Sequence, residues 1–227
     1  MKLISLEQKE IFLKSIKLFN IPITDIQLNS LFLYVELLLK QNQFVNLISR
    51  ADNHNILLNH LFMSLLFSIH ISKKSNFSIL DVGTGGGLPG IPLSILYPNY
   101  YFVLIDGIQK KIDSVGAFIN TLNLKNVITL KERTETLKNN KMYINYFNVV
   151  VARAVTDLST LIKQTLPFLK KNSNAQIVTL KGGNLKEEVV LAKKKFKNFK
   201  IEEKSIDLSL IPEIKNQDKK FIIVTLN

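Results

Sequence analysis

The sequence predicts an α/β fold: a mostly parallel sheet with an antiparallel last strand, preceded by a helical N-terminal extension. Three observations carry this. From about residue 76 onward, short apolar runs alternate with amphipathic helical stretches, the pattern of strands joined by crossovers. Before about residue 75 there is no strand alternation, and apolar residues recur at helical spacing. At the C-terminus two apolar runs are joined by a linker too short for a helical crossover, so that pair should be antiparallel. The division follows as 1–75, a helical extension packed on the core, and 76–227, the main domain.

The elements can be justified in order. Ser5 followed by Gln8 forms a capping-box pattern, after which Phe12, Ile16 and Phe19 fall on one helical face. Pro22 breaks the chain before a second helix over Gln27 to Gln41, whose stripe is Leu28, Leu31, Phe32, Val35, Leu38 and Leu39. A third, over His54 to Ile71, is apolar almost all round and should lie between the others and the main body. Phe77 to Val82 reads as a buried strand ending in a glycine cluster, with a helix after it to about Tyr97. Strands are expected at Tyr100 to Ile105, Asn126 to Lys131, Phe147 to Ala152 and Ala175 to Leu180. Helices are expected at Lys110 to Leu122, Leu158 to Leu169 and Leu185 to Phe196. Strands at Lys200 to Ile206 and Phe221 to Leu226 complete the chain. No internal repeat is visible.

Composition excludes several classes. An apolar fraction of 46% is ample for a core and excludes disorder. With no Cys there is no disulfide framework, thiolate zinc site or Cys nucleophile, and three His leave little for a metal centre. The N-terminus carries Lys or Glu every few residues and lacks a leader's apolar stretch, and the run Leu61 to Ile71 is too short to span a bilayer. A soluble, cytoplasmic, metal-free monomer is the expectation. The net charge is +12, almost all of it from Lys, since Arg50, Arg133 and Arg153 are the only arginines. An AT-biased genome would write the same composition. A polyanion partner, nucleic acid first, is the functional alternative.

The informative segment is Asp81-Val82-Gly83-Thr84-Gly85-Gly86-Gly87-Leu88-Pro89-Gly90, which follows a strand and opens a helix. Gly85, Gly87 and Gly90 match the dinucleotide pattern, which is weak alone. Asp81 is the sharper clue: a carboxylate there would repel a pyrophosphate but suits a sulfonium or amino group, unless it only satisfies donors of the turn. Asp106 closes the next strand, 19 residues beyond Gly87, where a carboxylate accepts from ribose hydroxyls in nucleoside-binding α/β folds. The alternative is a helix cap for the segment starting at Gly107. Arg133-Thr134-Glu135 follows the third strand, where adenine would rest, or forms a surface loop. Arg153 emerges from an apolar strand at the same edge, facing carboxylate or phosphate, or a surface salt bridge. Lys181-Gly182-Gly183 holds the equivalent edge after the fifth strand, either near a substrate phosphate or as a simple turn. His60 reads as packed or capping. An antiparallel last strand on a parallel sheet is more typical of methyltransferases than of dehydrogenases.

The stretch Asp81 to Leu93 resembles the signature of the RsmG family, also known as GidB or glucose-inhibited division protein B. Asn46-Leu47, Asn59-His60, Asp106, Ala152-Arg153-Ala154 and Leu180-Lys181-Gly182 extend the resemblance over residues 46 to 182. The resemblance implies a Rossmann-like class I methyltransferase that uses S-adenosylmethionine to methylate guanine N7 in 16S ribosomal RNA. Its partner would be that RNA or the small ribosomal subunit. It implies cofactor contacts at Gly83, Leu88, Thr134, Glu135 and Arg153, to which the strand-end reading adds Asp106. No catalytic acid, base or metal is implied. Gly86 stands where the family usually has Pro, and Gly107 where it has Ser, which should loosen the cofactor loops. Met63 replaces a common Asp. The rival functions are a nicotinamide-dependent oxidoreductase, disfavoured by Asp81 and by the lack of a Tyr-Lys or His pair, and a non-catalytic RNA-binding protein.

Overall fold

The computed structural model describes residues 4–49, 55–71, 77–171 and 174–226. Helix α1 spans Leu6–Leu18 and α2 spans Asp25–Gln41, each opened by a reciprocal capping box, Ser5 with Gln8 and Thr24 with Gln27. The third helix differs from the single α-helix expected. It combines a π-helical turn at Leu57–Phe62, an α-turn at Met63–Leu65 and a 3₁₀ turn at Leu66–Ile69, together α3. Its expected start at His54, and the expected boundary near Ser75, lie outside the described residues.

The remaining elements are β1 (Ser78–Val82), α4 (Gly90–Leu96), β2 (Tyr101–Asp106), α5 (Gln109–Thr121), β3 (Val127–Lys131), α6 (Thr134–Leu137) and β4 (Val149–Arg153). After them come α7 (Leu158–Thr165), β5 (Gln176–Gly182), α8 (Lys186–Lys195), β6 (Phe199–Ser205) and β7 (Lys219–Leu226). The described residues form a seven-stranded sheet in the order β3-β2-β1-β4-β5-β7-β6. The first five strands are parallel, and β7 inserts antiparallel between β5 and β6. Hence the antiparallel final pair is present, and β6 and β3 are the two edges.

Side chains alternate across the pleat and divide the core in two. On one face Ile79, Phe102, Leu104, Val151 and Phe221 pack with α1 to α5, so the N-terminal helices share a core with the sheet. On the other, Leu80, Val103, Val150 and Ile177 pack beneath α7 and α8. Asp81 falls on the first face, below α4, with no exposed surface. The loops at the carboxyl ends of the parallel strands therefore gather along one edge, where ligands bind in open α/β sheets. Among the described residues, no helix is long and apolar enough to cross a membrane.

Candidate functional site

Beyond β1 the backbone turns at Gly83 (φ +67°), Gly85 (φ +58°) and Gly87 (φ +96°), left-handed conformations that glycine adopts at little cost. Asp81 holds this turn from beneath. Its Oδ2 accepts from the Thr84 hydroxyl at 2.6 Å and from the Gly90 N–H at 2.9 Å. Burial pushes the Asp81 carboxyl up to about 7, against the bonds from Thr84 and Gly90, and the charge of Asp106 adds to the rise. The reading that Asp81 meets a sulfonium or amino group is thus corrected: it lies wholly inside and serves the turn. Gly86 does not loosen the loop. The Tyr34 hydroxyl donates to its carbonyl at 2.9 Å, and a Cβ there would stand 2.8 Å from Leu38 Cδ1.

Asp106 ends β2 with its carboxylate spanning two loops. Oδ2 accepts from Gly85 N–H at 3.1 Å and Oδ1 from Ile108 N–H at 2.9 Å. Helix α5 begins at Gln109 with Ile108 in the cap position, so Asp106 braces the turn before the helix and does not cap it. Gly107 is covered in turn by Arg133, whose Nε would lie 2.8 Å from an added Cβ.

Two cavities of about 330 Å³ each open over these strand ends. One is lined by Gly83, Asp106, Thr134 and Glu135, with Arg133 and Val155. Glu135 accepts from Gln164 Nε2 at 2.6 Å and from the Thr134 hydroxyl at 3.2 Å. The other is lined by Gly83, Leu88, Lys111 and Arg153, with Gly85 and His60. All six residues expected to hold the cofactor therefore line these two cavities, which share Gly83. A Cβ at Gly83 would come within 2.9 Å of Val155 Cγ2, so only glycine leaves the junction open. One cavity presents the carboxylates of Asp106 and Glu135, which suit ribose and amino donors. The other presents Lys111 and Arg153, which suit a carboxylate. That donor set fits S-adenosylmethionine, with a nucleoside at one end and an amino acid at the other.

Arg153 is the last residue of β4 and is partly buried. Its guanidinium donates to the carbonyls of Asn59 at 2.7 Å and His60 at 3.4 Å, within the π-turn. His60 is buried, in keeping with a packed residue. Lys181 is corrected: its ammonium bonds Glu188 and the Thr156 carbonyl, so it braces the loops after β4 and β5 and is not a phosphate ligand. Lys111, Val155 and Gln164 were missed, because each is an ordinary helix or loop residue in its local sequence. Among the described residues no group of three His, Asp or Glu could hold a metal.

A parallel sheet with an inserted antiparallel strand and a split, glycine-hinged cradle defines a class I S-adenosylmethionine-dependent methyltransferase. A family model described as rRNA small subunit methyltransferase G matches residues 27–217, and the chain belongs to that family. It is 41% identical over 173 residues to the ribosomal RNA small subunit methyltransferase G of Chlorobium luteolum, covering 76% of this chain and 70% of that one. With the protein of the same name from Chlorobaculum tepidum it shares 40% over 183 residues, covering 79% and 81%. In fold it resembles a precorrin-6y C5,15-methyltransferase from Geobacter metallireducens, with a TM-score of 0.55 at 12% identity over 73% of this chain and 88% of that one. Family membership overturns the oxidoreductase alternative.

Proposed function

We propose that the protein methylates N7 of a guanine in 16S ribosomal RNA, acting in the cytoplasm as a monomer. The observation that carries this reading is the pair of cavities meeting at Gly83, with Asp106 and Glu135 on one and Lys111 and Arg153 on the other, in a chain of this family. In it, Asp106 accepts from the ribose, Thr134 and Glu135 border the adenine, Gly83 and Leu88 line the passage, and Arg153 with Lys111 faces the amino-acid end. S-adenosylmethionine supplies an electrophilic methyl carbon. N7 carries a free lone pair on neutral guanine, so no proton has to be removed first. The bound cofactor would give its methyl carbon to N7 while the C–S electron pair stays with sulfur, leaving a 7-methylguanine cation within the RNA chain. The protein's task is alignment and exclusion of water, with the base splayed from its stack.

Nucleoside mass spectrometry tests it directly. Ribosomal RNA from a strain lacking the gene should lack one 7-methylguanosine, restored by the wild-type chain. Retention of every 7-methylguanosine would refute the reading. S-adenosylmethionine at about 100 times its Kd should stabilise the fold by roughly 2.7 kcal/mol, and NADH should not.

A further inference from the structure

A third cavity lies beside the first two, and the three follow the order of the strands. The nucleoside cavity stands over β3, β2 and β1, and the next over β1 and β4. The third, about 610 Å³, stands over β4, β5 and the start of β7, and Arg153 belongs to both it and its neighbour. With strands about 4.8 Å apart, the distance from β4 to β7 is about 10 Å, room for one base. If the first two cavities hold the cofactor, the third adjoins its amino-acid end, at Arg153.

Its walls are polar and come from distant parts of the chain. Arg153 ends β4, Gly182 ends β5, Asn59 comes from the π-turn, and Gln217 and Asp218 precede β7. Gln217 Nε2 donates to Asn59 Oδ1 at 2.7 Å, and Gly183 N–H donates to the Asp218 carbonyl at 3.3 Å. These bonds fix the Gln217-Asp218 segment against the other walls. Asp218 is the only carboxylate on this lining. Its side chain is 60% exposed and pairs with Lys220 at 3.5 Å.

Arg153 and Lys219 on the same lining suit the phosphates of a polyanion, whereas the carboxylate beside them repels phosphate. It is well suited to a base. Guanine alone among the four bases presents two adjacent donors, N1–H and the 2-amino group, which a carboxylate accepts as a fork. N7 lies on the opposite edge and stays free to attack. As N7 gains its methyl group the base becomes cationic, so a carboxylate on its far edge holds the transition state more tightly than the ground state. We propose that the third cavity takes the acceptor guanine and that Asp218 reads it through N1–H and the 2-amino group. This rests on the methyltransferase reading above.

The test uses small ribosomal subunits from a strain lacking the gene, and subunits reconstituted with inosine at the methylated position, which removes only the 2-amino group. In single turnovers the wild type should methylate guanosine subunits at least tenfold faster than inosine subunits. Asp218→Asn should lose at least tenfold on guanosine subunits and no longer distinguish the two, while Asp218→Glu recovers part of the rate. S-adenosylmethionine affinity and the melting temperature should stay at wild-type values. Undiminished discrimination in Asp218→Asn, or a loss that follows cofactor affinity or melting temperature, overturns the assignment. A wild type that transfers no methyl to guanine overturns the proposed function and this assignment with it.

Discussion

Arg153 Nη2 lies 2.7 Å from the carbonyl oxygen of Asn59 and thereby ties the end of β4 to the π-turn of α3. One guanidinium thus links the N-terminal helices to the sheet edge at the wall between two cavities. An α-helix hydrogen-bonds its carbonyls in regular succession, and a π-turn disturbs that ladder where an outside donor can enter. The Asn59 side chain, through Gln217, brings in the segment before β7 as well.

Arg153→Lys retains the charge but replaces a planar fork by a point donor that cannot serve both carbonyls. It should cost about 1–2 kcal/mol of unfolding free energy, read from urea midpoints. Cofactor affinity should fall in the same variant, since the ammonium no longer faces the second cavity in the same way. A variant with wild-type midpoint and wild-type affinity would remove Arg153 from both roles.

Gly90 opens α4 directly above Asp81. A Cβ there would stand 2.7 Å from Asp81 Oδ2 and 2.7 Å from Leu104 Cγ, both buried. Gly90→Ala should therefore destabilise the fold by about 1–3 kcal/mol through overpacking. It should also weaken cofactor binding, because Asp81 can retreat only by letting the glycine turn move. Gly183→Ala has open space around it and φ +82°, so it should cost about 1 kcal/mol from backbone strain alone and leave cofactor affinity unchanged.

Much of the fold was legible because strands buried on both faces read as unbroken apolar runs, as Val149 to Ala152 does. The cradle was legible because Gly83 and Asp106 sit at strand ends, where position follows from local pattern. What was hidden depends on partners far away in sequence. Nothing near Asp81 says that Gly90 and Leu104 will seal it from the cavities, and nothing near Lys181 says that Glu188 will take its charge. The π-turn was invisible for the same reason, since its guanidinium partner lies on β4. Asp218 reads as one more loop residue until β7 inserts beside β5 and brings it to the edge.

Asp106 can be separated from a merely structural brace. Asp106→Ala removes the acceptor of Gly85 N–H and Ile108 N–H and, on the proposed function, of the ribose hydroxyls. Calorimetry should show S-adenosylmethionine binding weakened by about 1–3 kcal/mol. Asp106→Asn, which keeps one acceptor oxygen, should fall between. If the melting temperature drops while affinity holds, Asp106 only fastens the two turns.

Asp81 makes the stability of the glycine turn depend on pH, and the sign follows from its surroundings. Its carboxyl is pushed up to about 7 by burial, from an ordinary value of 3.8. Between about pH 4 and pH 7 the unfolded chain has lost this proton while the folded chain keeps it. The folded state then binds more protons, so this group's contribution to stability falls as pH rises, by at most about 1.4 kcal/mol per pH unit, and levels off above about pH 7. Asp81→Asn retains an acceptor for Thr84 and Gly90 but cannot ionise. The unfolding free energy of Asp81→Asn minus that of the wild type should accordingly climb from pH 4 to pH 7 and then stay flat, as read from urea titrations at unit pH steps. Because the charge of Asp106 adds to the rise, the same series in an Asp106→Asn background should level off at a lower pH. A difference independent of pH would mean that Asp81 ionises at its ordinary value and that the turn rests on a charged carboxylate throughout.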